Sequence, residues 1–186
     1  MKGVVFNLLE SFVVEGWGEE VYEDVLALCP LKTKEPFVGP GTYPDSDLFS
    51  IATKTAEKLD LPLADALRAF GTYCFPKLAA TAPELVAASS TARELLLSVD
   101  AVIHVEVRKL MPEALTPSFD YEAVGDDLLI RYYSKRKLCR FMEGLLDGLA
   151  EHFQTTIHHQ QQTCMHDGAP YCEFRIQFAG VNEAAA

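Results

Sequence analysis

An α+β fold is expected, with helices leading and antiparallel strands following. Three observations predict it. Apolar residues recur at helical spacing through the first two thirds of the chain. The last third switches to short apolar runs and turn signals typical of strands. The chain has 186 residues, 49 % of them hydrophobic and 23 % charged, which suits one globular domain with a full core and excludes a disordered chain.

Val4 to Val14 is an apolar run broken by Asn7, Glu10 and Ser11, and Gly16-Trp17-Gly18 interrupts it. Glu19 to Leu28 resumes the helix, with Val21, Val25 and Leu28 on one face, and Pro30 ends it. Lys32 to Gly41 holds Pro36, Gly39, Pro40 and Gly41 and reads as a loop. Ser46 is placed to cap a helix to about Leu59, with Leu48, Ile51, Ala52 and Thr55 inside. Another helix starts near Pro62 and carries Leu63, Leu67, Phe70 and Cys74. Pro76 and Pro83 are expected to break the chain beyond Cys74 into shorter pieces. Thr91 to Leu110 is a long helical pattern.

Leu128 to Tyr133 reads as a strand and Leu138 to Phe153 as a helix, with Phe141, Leu145 and Leu149 on its face. Thr155 to Thr163 and Tyr171 to Phe178 read as two more strands, joined across His166-Asp167-Gly168. The tail from Val181 is expected to fray. No internal repeat is visible.

Sixteen basic and 27 acidic residues leave a formal net charge of −11. Such a surface repels phosphate backbones and argues against nucleic acid as a partner. No segment reaches the ~20 apolar residues of a membrane span. Met1-Lys2-Gly3 reaches Glu10 too early for a signal-peptide core, so a cytoplasmic protein with no membrane insertion is expected. Five cysteines, at 29, 74, 139, 164 and 172, are an odd number without a framework. In a reducing compartment they read as buried thiols or metal ligands.

Two groups of residues can carry chemistry. His104 lies late in a helical pattern, with Leu97, Ala101 and Arg108 as neighbours on its face. An imidazole there ligates a metal if a cavity lies opposite, and otherwise serves as a core histidine bonded to a carbonyl. Tyr132, Ser134 and Arg136 share one face if their strand continues through Arg136. They then offer two hydroxyls and a guanidinium to a carboxylate, or form the polar face of a half-exposed strand. Together the two groups suit a haem, with an axial imidazole for the iron and a cationic receptor for the propionates. No Cys-x-x-Cys-His segment is present, so the haem would be b-type.

With these residues the chain resembles the H-NOX family, the haem nitric oxide/oxygen-binding domains of bacteria related to the haem domain of soluble guanylate cyclase. The matching features are Met1-Lys2-Gly3, His104 followed by Arg108-Lys109-Leu110, Pro117, and Tyr132-x-Ser134-x-Arg136. They span essentially the whole chain. The resemblance implies one domain over residues 1–180, a helical distal subdomain at about 1–62 and a proximal one at about 63–180, and then the tail 181–186. It makes His104 the haem-iron ligand, gives the propionates to Tyr132, Ser134 and Arg136, and presses Pro117 against the porphyrin.

The resemblance also places Leu9, Cys74 and Phe141 in the distal pocket. Members that hold O₂ use a tyrosine five residues past the arginine, where this chain has Phe141. A sensor that binds NO and CO and excludes O₂ is therefore implied, and not an enzyme. Its signal would pass, through release of the proximal histidine, to a separate histidine kinase or diguanylate cyclase/phosphodiesterase. Gly144 and Gly148, beside Phe141, would admit a close approach of the haem or of a neighbouring helix.

Cys164 and Cys172 flank the last turn, and Cys139 opens the preceding helix. Thiolates with an imidazole make a zinc site. Some bacterial H-NOX proteins, similar to this chain here, hold structural zinc with three cysteines and a histidine. Their histidine falls on Gln161, so His159 or His166 would have to substitute. Zinc, redox-active thiols and inert buried cysteines remain the alternatives. Two rival functions stand beside gas sensing: a thiol/zinc redox sensor, and an enzyme binding a carboxylate substrate at Tyr132, Ser134 and Arg136.

Overall fold

Helices fill the chain up to Leu110 and a four-stranded sheet dominates the rest, in a computed structural model that describes residues 1–110 and 114–179. The residues group into two compact units, Met1–Phe70 and Gly71 onward. The tail 181–186 lies outside the described residues.

The first unit holds α1 (Gly3–Trp17), α2 (Glu19–Leu28), α3 (Asp45–Lys58) and the start of α4 (Leu63–Ala79). α1 ends at Gly18, whose φ of 98° suits glycine. The buried face of α2 is Tyr22 and Val25, not the expected Val21, Val25 and Leu28. Leu28 is 61 % exposed, because it lies at the helix end and off the face that Tyr22 and Val25 define. The inner stripe of α3 is as expected: Leu48, Ile51, Ala52 and Thr55 are all buried. Its cap is not, since the helix already includes Asp45 and Ser46, and Pro44 precedes it.

The Pro/Gly-rich loop after α2 is tied down by a buried carboxylate. Asp47 accepts hydrogen bonds from the Lys32 amide at 3.1 Å, the Thr33 amide at 2.9 Å and the Thr33 hydroxyl at 2.7 Å. Farther along, Phe37 stacks on Phe6 at 4.1 Å and gives its carbonyl to Asn7. The Gly3 amide donates to Gly41 at 2.9 Å, and a side chain at Gly3 would collide with the Val38 carbonyl.

In the second unit α4 runs to Ala79 straight through Pro76, where a break was expected. Pro76 cannot donate to the Thr72 carbonyl, and that oxygen lies against Gly148. Pro83 opens the short α5 (Pro83–Ala87) at its first turn, where proline fits. Thr91 caps α6 (Ala92–Ser98), accepting from the Glu94 amide. A π-helical turn, Val99–Ile103, joins α6 to α7 (His104–Leu110).

The sheet contains β1 (Ser118–Val124), β2 (Asp127–Tyr133), β3 (Ile157–Thr163) and β4 (Cys172–Phe178), in the order β1-β2-β4-β3, all antiparallel. β1 is not expected from the sequence. It is an edge strand with mostly exposed residues, so no buried apolar run marks it. The turn between β3 and β4 is wider than a tight hairpin: Met165–Asp167 forms a 3₁₀ turn and Gly168 takes φ 91°.

Leu128, Ile130 and Tyr132 of β2 and Cys172, Phe174 and Ile176 of β4 form the inner sheet face. α8 (Cys139–His152) covers it with Met142, Leu146 and Leu149. Phe141 and Leu145, expected on that face, are only half-buried. Gly71 approaches the backbone at Phe141 and Gly144, and Gly148 meets Phe75, so these glycines serve the packing of α4 on α8.

Removing the Asp47 carboxylate should loosen the first unit. Burial alone would raise its pKa, but the hydrogen bonds from Thr33, Lys32 and Ser46 hold it below the usual carboxylate range. Its stabilisation is therefore complete above about pH 4 and fades as pH falls through the folded value. Asp47→Ala should cost about 1.5–3 kcal/mol in urea unfolding at neutral pH. The gap to the wild type should narrow in strong acid.

Candidate functional site

His104 stands at the point where the π turn gives way to α7. The turn's wider winding carries its amide to the Val99 carbonyl, five residues back. Its winding also departs from the 3.6-residue count that puts Leu97 beside the histidine. Leu97 is 38 % exposed, while Leu95 and Leu96 are buried.

The His104 ring is half-buried and held on two sides. Its Nδ1 lies 3.3 Å from Asp100 Oδ1, and its plane stacks on Phe119 of β1 at 5.7 Å. The second Asp100 oxygen accepts the Phe119 amide at 3.3 Å. Arg108 lies 3.9 Å from Asp100 Oδ1. Burial pushes the His104 pKa down and Arg108 adds to this, while Asp100 and the Pro117 carbonyl oppose it; the net shift is downward. The imidazole is neutral at neutral pH, the form that ligates a metal.

Tyr132 is buried on the inner face of β2, and burial pushes its pKa up to about 12. The strand ends at Tyr133, as its apolar run predicts, and so does not continue through Arg136. The chain turns instead: the Arg136 amide donates to Ser134 Oγ at 3.2 Å, and Lys137 takes φ 51°. Ser134 and Arg136 therefore approach each other across a turn, not along a strand face. The Ser134 hydroxyl bonds to Tyr132.

Arg136 Nη1 donates to the Leu115 carbonyl at 2.6 Å, and Arg108 Nη1 donates to Thr116 Oγ1 at 2.6 Å. Two guanidinium groups thus fix the segment just before Pro117, and the Pro117 carbonyl acts on His104. The structure brings His104, Pro117 and Arg136 into one neighbourhood.

Of the three expected pocket residues, Phe141 lies on α8 and Cys74 on α4. Cys74 is fully buried, and burial pushes its thiol pKa far up, so it stays protonated. Leu9, in the first unit, borders a small apolar cavity with Phe12, Ala66 and Phe70. Thr55 also lines it, and its buried hydroxyl has no hydrogen-bond partner among the described residues. Sequence periodicity gives Thr55 only as part of the α3 stripe; nothing in the pattern marks it as the polar side chain at this cavity.

A family model described as Haem-NO-binding matches residues 2–161. An H-NOX protein from S. oneidensis in its Fe(II)NO state is 36 % identical, with a TM-score of 0.90 over 97 % of this chain and 100 % of that one. The chain belongs to the H-NOX family. An unliganded Fe(II) H-NOX protein from K. algicida is 26 % identical, with a TM-score of 0.90 over the full length of both chains. The IWP-051-bound H-NOX from Shewanella woodyi, in its Fe(II)CO state, is 31 % identical, with a TM-score of 0.84 over 100 % of this chain and 97 % of that one. H-NOX domains bind haem and sense gases.

This H-NOX chain also brings three cysteines together. The Sγ atoms of Cys139, Cys164 and Cys172 all lie within 4.8 Å of one another. Neither histidine that could complete a zinc site has a ring nitrogen within this group of ligand atoms. His159 Nε2 pairs with Asp147 at 2.9 Å, and His166 Nε2 meets the Lys137 carbonyl at 2.9 Å. The residue beside the thiols is Gln161, whose amide acts on Cys139 and Cys164. A three-cysteine, one-histidine zinc site does not fit the residues present. No helix among the described residues is long and apolar enough to cross a membrane.

Asp100→Ala should leave the Phe119 amide without its acceptor and free the His104 ring. The expected cost is about 1–3 kcal/mol in denaturant unfolding, with faster hydrogen exchange at Phe119. Unchanged exchange at Phe119 would show that Asp100 does not fasten the π turn to β1.

Proposed function

We propose that this H-NOX domain is a nitric oxide sensor whose haem iron is held by His104. The observation that carries this reading is the state of that histidine: neutral, half-buried and fixed through Nδ1 by Asp100, so that Nε2 is the nitrogen offered to a metal. Haem, when bound, supplies the iron at which diatomic gases are captured.

The residues around His104 fit such a group. Arg136 carries the guanidinium fork for a propionate; its backbone amide meets the Ser134 hydroxyl, which in turn bonds to Tyr132. Pro117, whose carbonyl acts on the histidine, carries a rigid ring suited to pressing on a flat macrocycle.

Gas choice rests on what the distal side chains lack. Phe141 and Leu9 carry no donor, and the Cys74 thiol is a weak one. O₂ gains from a hydrogen bond when bound, and NO needs it far less, so NO and CO are favoured over O₂. The S. oneidensis and S. woodyi relatives in Fe(II)NO and Fe(II)CO states support this choice of ligands.

His104 is the moving part. Were its bond to a haem iron lost, α7 would be freed at its first residue, and the π turn would be the place where the helix rewinds. The signal then passes to a separate enzyme, a histidine kinase or a diguanylate cyclase/phosphodiesterase, and the domain itself catalyses nothing. The clustered thiols favour a second, metal- or thiol-based role beside gas sensing.

The purified ferrous protein should carry haem, shift its Soret band on adding NO or CO, and keep it unchanged in air-saturated buffer before slow oxidation. A colourless protein that cannot be reconstituted with haem would overturn the reading. A hydroxyl placed at Phe141 should alter the response. Phe141→Tyr adds a donor worth about 1.5–3 kcal/mol to a charged acceptor, roughly tenfold or more in O₂ affinity. A wild-type protein that already binds O₂ stably would contradict the donor argument.

A further inference from the structure

We propose that Cys139, Cys164 and Cys172 form a three-thiolate site for Cu(I), with Gln161 filling the place where an imidazole would make it a zinc site. The site is independent of the haem reading and draws on the second unit alone.

The geometry is that of a trigonal sulfur site. The Cys139 and Cys164 sulfurs are 4.0 Å apart, and all three lie within 4.8 Å of one another. Thiolates bound at about 2.3 Å around one trigonal ion lie about 4 Å from each other, so small side-chain shifts suffice. All five cysteines are free thiols.

The backbone is arranged for sulfur that carries charge. The Met165 amide donates to Cys172 Sγ at 3.3 Å, and the His166 amide donates to Cys164 Sγ at 3.4 Å. These two donors come from the 3₁₀ turn between the strands, which Lys137 fastens by donating to the Met165 carbonyl at 3.0 Å. Arg140, next to Cys139, lies close enough to interact with Cys139 and Cys164, although Glu143 also pairs with it at 2.8 Å. Three thiolates and one monovalent cation leave a net charge of −2, which these donors and cations offset in part.

The donor set decides the metal. Zinc in a structural site is tetrahedral and needs four protein ligands. Gln161 stands beside the sulfurs and bonds to Cys139 and Cys164, and an amide is a poor zinc ligand. A soft monovalent ion is complete with three thiolates and asks for no fourth donor. Binding releases the three thiol protons to solvent, and no electron is transferred. The bound ion would staple the start of α8 to β4 and the turn before it.

The test uses the full-length, haem-loaded protein with reduced thiols, without oxygen. Cu(I) is supplied against bathocuproine disulfonate and, separately, Zn(II) against a zinc chelator, and the metal retained is counted by elemental analysis. One copper per chain should be held, and Cys139→Ser should release it. Cys164→Ser, at the partly exposed corner, serves if the buried substitution fails to fold. Gln161→His should raise zinc affinity at least about tenfold and leave Cu(I) affinity nearly unchanged. The proposal is overturned if the wild type holds zinc but not copper, if Gln161→His leaves zinc affinity unchanged, or if copper persists in both cysteine variants.

Discussion

Asp100 gives one oxygen to the His104 ring and the other to the backbone of β1. The order around that histidine depends on the carboxylate. It holds Nδ1 of the ring, and it fastens the π turn to the edge of the sheet. The same residue lies within reach of Arg108, which in turn grips Thr116 next to Pro117. A displacement of His104 is therefore felt at β1 and at the proline segment, through hydrogen bonds and not through distance alone.

The π turn makes such a displacement accessible. A π segment costs energy relative to an α-helix and persists only when its surroundings hold it. Here Asp100, inside the turn, supplies part of that hold. Under the proposed assignment, a His104 that left the iron would weaken the restraint shared between ring and carboxylate, and the π turn would be the place where the helix rewinds. On that proposal a bond change at one nitrogen would become a rearrangement of the helix without a hinge loop.

The α3 stripe, β2, β4 and α8 are legible in the sequence because each carries buried apolar residues at a regular spacing. β1 is not, because an exposed edge strand has no apolar run to reveal it. Pro76 misleads, because a proline inside a helix usually breaks it, whereas here Gly148 leaves room for the disturbed Thr72 carbonyl. The face that His104 occupies is hidden as well, because the π turn is invisible to a count that assumes 3.6 residues per turn. Tyr132, Ser134 and Arg136 are legible as a group, but the turn that gathers them depends on a positive φ at Lys137 that no spacing rule announces. The role of Asp100 escapes notice in the sequence because half of it lies in the Phe119 amide, nineteen residues along the chain.

The identity of the iron ligand is tested most directly by resonance Raman spectroscopy of the ferrous, unliganded protein. An iron–nitrogen stretch that shifts on histidine ¹⁵N labelling should be present in the wild type. It should vanish in His104→Gly and return in altered form when free imidazole is added. The same mode persisting in His104→Gly without imidazole would contradict the assignment of His104.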